Sequence, residues 1–282
     1  MHPQTLPLTL ALVLGAVAVA QALEDPPAAS ASSRNVRATL VSEVESIRPG
    51  TQFWLGLRLQ MQPGWHVYWK QPGDSGLPPR LRWTLPPEFK AGEIAFPYPE
   101  RFPAGDLASY GYAEDVLLLV PVQAPATAAA GGTVPFTAHA SWLECKEACI
   151  PAKAVLGLEL PVRSAVPGAV AAHAPLFQAS RQRLPRPSPG WRFEAAADRI
   201  VLRPPATWRK PQGAVEFFGA QDNVIRFAAA QRVVAGAGGW GLELARDPNG
   251  TVPPSLQGVL VSRRGTAVEA IEIEAQPRKE TR

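Results

Sequence analysis

Ser141-Trp142-Leu143-Glu144-Cys145-Lys146-Glu147-Ala148-Cys149-Ile150-Pro151 is the stretch on which the reading of this chain turns. It contains both cysteines of the 282-residue sequence. Before it, Val134, Phe136, Ala138, Ala140 and Trp142 alternate with Pro135, Thr137, His139 and Ser141. After it, Ala154, Leu156, Leu158 and Leu160 alternate with Lys153, Val155, Gly157 and Glu159. A period of two on both sides predicts two strands, each with one buried face. The cysteines then sit at a hairpin tip, where a chain meets partners.

The same alternation runs through the rest of the sequence. Phe53, Leu55, Leu57, Leu59 and Met61 alternate with Trp54, Gly56, Arg58 and Gln60. Gly64 to Lys70 reads as a short aromatic strand, and Gln71 to Pro79 is dense in turn formers. Further strands are expected at 36–44, 80–85, 92–96, 115–122, 133–143 and 152–162. With 31 prolines and 23 glycines between short apolar runs, this spacing predicts an all-β fold of the sandwich type. Residues 164–190 change character: 170–184 is the one stretch that fits a short helix, with Pro175 interrupting or starting it, and Pro185, Pro187 and Pro189 stiffen the connector. Strand signals resume at 191–195, 199–203, 214–218, 224–228, 240–245, 257–261 and 267–274. The expected organisation is two immunoglobulin-like β-sandwich domains, 34–163 and 191–276, joined by a Pro-rich linker.

Composition narrows the function classes. Residues 1–22 read as an export signal: Leu6 to Ala20 is an apolar run too short to span a bilayer cleanly, followed by small-x-small cleavage patterns. No later segment is apolar enough to cross a membrane, so a soluble periplasmic chain is expected. The formal net charge of +4 lies on scattered arginines, without the dense basic run that nucleic acid requires. Export to an oxidising compartment favours a Cys145–Cys149 disulfide.

That bridge would enclose three residues. Chain entropy gives so small a ring about 2 kcal/mol, against ~3 for a 15-residue loop. Tight, exposed bridges tend to be the labile ones, so the spacing suits opening and closing better than bracing distant strands. Lys146 favours a thiolate at Cys145, while Glu144 and Glu147 oppose it. His139 shares the face of Cys145 but lies six residues away, on the order of 20 Å along a strand. A local staple in a binding module and a two-thiolate Cu(I) site are the competing readings. Met61 is the internal methionine, and no closed zinc site, other metal site or cofactor is expected. Gly64 to Trp69 reads as core packing in preference to a stacking surface.

Three stretches carry a resemblance to a known family: 64–83 (GWHVYWKQPGDSGLPPRLRW), 96–122 (FPYPERFPAGDLASYGYAEDVLLLVPV) and 141–162 (SWLECKEACIPAKAVLGLELPV). Over 35–162 the chain resembles the N-terminal periplasmic domain of the thiol:disulfide interchange protein DsbD, in its ScsB-like branch. The resemblance extends more weakly through 214–231 and 256–265. It implies an immunoglobulin-like fold whose cysteines, here Cys145 and Cys149, cycle between dithiol and disulfide. Its implied partners are a membrane-embedded thiol reductase, here on a separate chain, and exported thioredoxin-like proteins. Cytochrome c biogenesis and copper tolerance are its implied settings. DsbD places five residues between its cysteines; the three found here match the ScsB-like branch. Ser109-Tyr110-Gly111 falls where that family has a cap loop over the cysteine pair. Ser109, Tyr110 and Tyr112, with Trp142 and Lys146, are therefore the expected shielding and partner-binding residues. Either cysteine could be the attacking one, with Cys149 favoured by analogy.

Overall fold

The computed structural model describes residues 27–164, 171–236 and 239–278. The expected export signal lies outside them. The first half holds eleven strands: β1 (Ser30–Ser32), β2 (Val36–Ser42), β3 (Gln52–Met61), β4 (His66–Gly73), β5 (Arg80–Thr84), β6 (Lys90–Ala91), β7 (Glu100–Ala104), β8 (Leu107–Ala113), β9 (Asp115–Gln123), β10 (Thr133–Cys145) and β11 (Cys149–Pro161). They form two antiparallel sheets. One runs β1-β2-β3-β9-β6; the other runs β11-β10-β4-β8-β7, with β5 also paired to β10. Alternate residues of both sheets fill the space between them, among them Leu57, Leu59, Val67, Trp69, Leu118, Ala138, Ala140, Trp142 and Leu156. This is the inward-facing periodicity of an immunoglobulin-like sandwich.

Helix α1 (Ala174–Gln182) carries Pro175 in its first turn and no side-chain cap. The proline starts the helix, as its missing N–H allows. Phe177 packs with Val41, Leu117 and Leu119 on the outer face of the first sheet, and the Ser180 hydroxyl donates to the Leu117 carbonyl at 2.8 Å. That cover explains why Val116 to Val120 is an unbroken apolar run: β9 is buried on both faces.

The second half holds β12 (Arg186–Pro187), β13 (Arg192–Ala195), β14 (Arg199–Arg203), β15 (Ala214–Gly219), β16 (Arg232–Gly236), β17 (Gly239–Ala245), β18 (Leu256–Arg264) and β19 (Ala267–Pro277). They run β15-β18-β19-β13-β14-β17-β16, with β12 on β19. Trp191, Phe193, Leu202, Phe217, Leu242, Leu260 and Ile273 form the core of this second sandwich.

Four local expectations need correction. Residues 224–228 are not a strand: Val224, Ile225 and Phe227 are buried, and the segment makes one bridge, Ile225 to Arg246. Residues 92–96 reduce to a bridge from Ala95 to Leu119. Residues 30–32, left outside the expected first domain at 34–163, pair with β2. Most consequential, 107–113 is no cap loop but a strand between β4 and β7. Its Ala108 to Tyr112 run is buried on both sides, so it shows no alternation.

Candidate functional site

The long β10–β11 ladder keeps one register from Thr133–Pro161 up to its last pair, Cys145–Cys149. Directly opposed residues on antiparallel strands project to the same face, close enough to touch. The two cysteines, with Cα atoms 4.3 Å apart, form a disulfide. Their surroundings differ. Cys145 is buried, at 2 % exposure, while Cys149 is exposed.

On its other side β10 meets β4 at one register pair, Cys145 with His66. That pair puts His66, and Tyr68 two residues on, on the disulfide's face. The Tyr68 hydroxyl lies 2.8 Å from Cys145 Sγ and 3.1 Å from Cys149 Sγ. Burial pushes its phenol above the ordinary tyrosine range, partly offset by the Ser75 and Ser109 hydroxyls. Tyr68 therefore keeps its proton at neutral pH and acts as a donor. The His66 ring stacks on Phe102 at 4.6 Å between centroids and meets Tyr68 edge-on at 5.3 Å. Its Nε2 is buried without a partner among the described residues, and burial lowers its pKa. His66 is thus a neutral wall beside the sulfurs.

The cover over Tyr68 comes from the turn after β4. Gly76 has φ +104°, and a Cβ there would stand 2.2 Å from the Tyr68 ring, so backbone lies flat on the phenol. Several bonds hold this turn. The Ala108 N–H donates to Asp74 at 2.7 Å, and the Ser75 and Ser109 hydroxyls meet at 3.1 Å. Gln71 accepts from the Gly73 N–H at 2.9 Å and donates to Asp222 of the second sandwich at 2.6 Å.

The residues expected around the disulfide divide by strand parity. Tyr68 pairs with Gly111 and His66 with Ala113, so Ser109, Gly111 and Ala113 share its face. Tyr110 and Tyr112 point the other way. Tyr110 packs between the sandwiches, 4.9 Å from Phe218 and 5.2 Å from Phe227. Tyr112 is buried and donates to the Pro97 carbonyl at 2.7 Å. Neither covers the sulfurs. Trp142 is also corrected: at 3 % exposure it belongs to the core, on the face opposite Cys145. Ser109 stays beside the site through Ser75. Lys146 is exposed at the hairpin tip, its stem against Gly64. Glu144 turns inward, fully buried, and accepts from Ser33 at 2.7 Å and Asn35 at 3.2 Å.

Met61 is buried in the core of the first sandwich. Among the described residues no three or more His, Cys, Asp or Glu side chains are grouped to hold a metal. Among the same residues no helix is long and apolar enough to cross a membrane.

Sequence reading missed Tyr68, whose hydroxyl reaches both sulfurs, and did not place His66 beside it. They lie 77 residues or more before Cys145, and one β4–β10 pair brings them in. The usable signal was the aromatic run Trp65 to Trp69, whose period of two splits it between Tyr68 on one face and Val67 and Trp69 on the other.

Comparison with known proteins agrees with this architecture. Residues 37–159 match the family model described as thiol:disulfide interchange protein DsbD, N-terminal. No curated protein matches the sequence. Among solved structures, the N-terminal periplasmic domain of ScsB from Proteus mirabilis is similar at 15 % identity, with a TM-score of 0.61. The match covers 86 % of this chain and 94 % of that one. The major pilin subunit BcpA of Bacillus cereus aligns over 86 % of this chain and 67 % of its own, at 11 % identity and a TM-score of 0.27, too low to carry any argument. Residues 37–159 of the first sandwich thus resemble the DsbD N-terminal family, and the chain as a whole has the fold of the ScsB N-terminal periplasmic domain.

Proposed function

We propose that the chain is a periplasmic thiol–disulfide exchange protein in which Cys145 and Cys149 are the redox pair. The observation that carries this reading is an exposed Cys149 bonded to a buried Cys145, both within hydrogen-bonding reach of the protonated Tyr68 hydroxyl. Such a bridge offers one sulfur to a partner and keeps the other as the resolving group. The periplasmic setting rests on the relative's description as a periplasmic domain and on the export signal read at residues 1–22.

In the reduced chain, the Cys149 thiolate attacks one sulfur of a partner disulfide, and the partner's other sulfur leaves as a thiolate and takes a proton. The Cys145 thiolate then attacks Cys149 Sγ and expels the second partner thiol. The partner gains two electrons and two protons, and the chain returns to its disulfide. Electrons re-enter by the reverse exchange with a reduced donor. A membrane-embedded thiol reductase is that donor, and exported thioredoxin-like proteins are the acceptors. The Tyr68 O–H stabilises thiolate at either sulfur, since hydrogen bonds to a charged acceptor are stronger than those to a neutral one.

The test is the equilibrium of the pair in glutathione buffers, read by thiol alkylation and mass. A potential within roughly −270 to −120 mV, the span of catalytic dithiols, is expected. A value below about −300 mV makes the bridge a structural staple in a binding module. In addition, Cys145→Ser should trap a mixed disulfide through Cys149, and Cys149→Ser should trap little. Equal trapping by both overturns the assignment of the attacking sulfur.

A further inference from the structure

Away from the hairpin tip, the disulfide's face of the second sheet continues down three adjacent strands. Register places Arg80, Ser141 and Lys153 in one row across β5, β10 and β11, and Arg82, His139 and Val155 in the next. These side chains line an open groove of about 470 Å³. None of its lining residues is acidic, and Arg80, Arg82 and Lys153 form no ion pair with any described carboxylate. Other arginines, such as Arg58, Arg101 and Arg203, do form ion pairs. Val155, in the second row, is an apolar side chain at 50 % exposure, and Leu77 is another at 57 %. Leu77 lies on the turn that covers Tyr68, three residues before Arg80.

Building on the exchange reading, we propose that this groove docks an extended acidic segment of the exchange partner. Its geometry sets the occupant. Arg80 and Arg82 are two residues apart on one strand, so their side chains are roughly 6.7 Å apart along it, the repeat of same-face residues in any extended peptide. Carboxylates at alternate positions of the segment meet both. Lys153 stands two strands across from Arg80, roughly 9.6 Å away, and takes a third carboxylate or the flank of the same one. Val155 receives an apolar side chain.

The groove is close enough to the sulfurs to share one interface with them. Ser141 is four residues from Cys145, about 13 Å along the strand. A standard interface of ~800 Å² per partner is a patch of about 16 Å radius. A partner whose disulfide reaches Cys149 therefore covers the first basic row with the same footprint, and a segment that continues one same-face repeat further, about 20 Å from Cys145, meets the second. Charge placed there selects which disulfides are presented and raises encounter rates, by tenfold or more at low salt.

The experiment uses the reduced full chain and peptides carrying a mixed disulfide with thionitrobenzoate, whose release is followed by its colour. The peptides place alternating glutamates, lysines or serines at a fixed offset from the cysteine. Attack by the chain's thiolate forms a peptide–chain disulfide and releases thionitrobenzoate; the second thiol then frees the reduced peptide. The glutamate peptide is expected to react at least about tenfold faster than the lysine peptide at low salt, with the gap closing as salt screens the charges. The double variant Arg80→Glu/Arg82→Glu is expected to reverse that order while leaving the serine peptide's rate and the redox potential unchanged. Equal rates for the two charged peptides, or an order that survives the reversal, overturns the groove. Silence with all three peptides overturns the exchange reading instead. The groove is then decided by binding of a glutamate peptide with serine in place of cysteine, which must be lost in the double variant.

Discussion

Replacing Tyr68 by Phe keeps the buried ring and removes only the hydroxyl that lies 2.8 Å from Cys145 Sγ and 3.1 Å from Cys149 Sγ. Disulfide sulfur is a weak acceptor, so the oxidised protein loses little. A thiolate is a charged acceptor, and a hydrogen bond to a charged group contributes about 1.5–3 kcal/mol. Taking the lower end as the difference between the two states, the thiol pKa rises about one unit, because one unit is ~1.36 kcal/mol. Below that pKa the thiolate fraction falls tenfold. The remaining thiolate gains nucleophilicity with a Brønsted slope of ~0.4–0.5, so the exchange rate near neutral pH drops about three- to fourfold. Above the pKa the reduced form has lost the same support, and the two-electron potential becomes more negative by about 30 mV. The assays are the pH profile of alkylation by iodoacetamide and the glutathione equilibrium, with circular dichroism as the check on folding. A folded Tyr68→Phe protein with unchanged thiol pKa and unchanged potential refutes the argument that this hydroxyl sustains the thiolate.

Other parts of the structure give further expectations. Gly76→Ala puts a Cβ against the Tyr68 ring at a residue with φ +104°; it should cost on the order of 1–3 kcal/mol, displace the turn, and speed alkylation of the otherwise buried Cys145 in the reduced chain. Tyr110→Ala should lower stability by about 3–5 kcal/mol in a denaturant titration, the scale of large aromatic truncations. It should leave the thiol pKa alone, because Tyr110 faces away from the sulfurs. Tyr110→Phe should be neutral or stabilising, since the buried hydroxyl has no partner among the described residues. His66 is held neutral by burial, whereas in the unfolded chain it takes up a proton near pH 6.5. The unfolded state then binds more protons on acidification, so stability falls below about pH 6.5, by at most ~1.36 kcal/mol per pH unit from this group. Thermal unfolding of His66→Phe should lack that component; an identical acid slope in the variant would count against a neutral His66.

Much of the fold was legible because the information was local. Period-two alternation on either side of Cys145 and Cys149 is enough to make β10 and β11 antiparallel neighbours, and a hairpin of that register makes the cysteines opposite one another. Pro175, read as interrupting or starting a helix, starts α1, whereas Pro185 to Pro189, read as a stiff connector, contains β12, which pairs with β19. The alternation failed where a strand is covered on both faces, as in β8, whose Ala108 to Tyr112 run resembles a turn-rich loop in sequence and is a buried strand in the molecule. It also misled at Val224 to Phe227, where apolar side chains fill the core from an irregular segment.

The chemistry of the site needed distances that the sequence does not contain. That two cysteines four positions apart at a hairpin tip can bridge was determined by the sequence, since the turn alone brings them together. Which of them is exposed, and that a tyrosine 77 residues away supplies their hydrogen bond, depended on β4 docking beside β10 through a single register pair. A shift of one residue in that pairing would turn Tyr68 to the core and Val67 or Trp69 to the sulfurs. The same parity sent Tyr110 and Tyr112 away from the disulfide and left Ser109 beside it. Side-chain direction in a strand is a property of register, and register is set by packing between segments far apart in the chain, so only the tertiary structure could decide it.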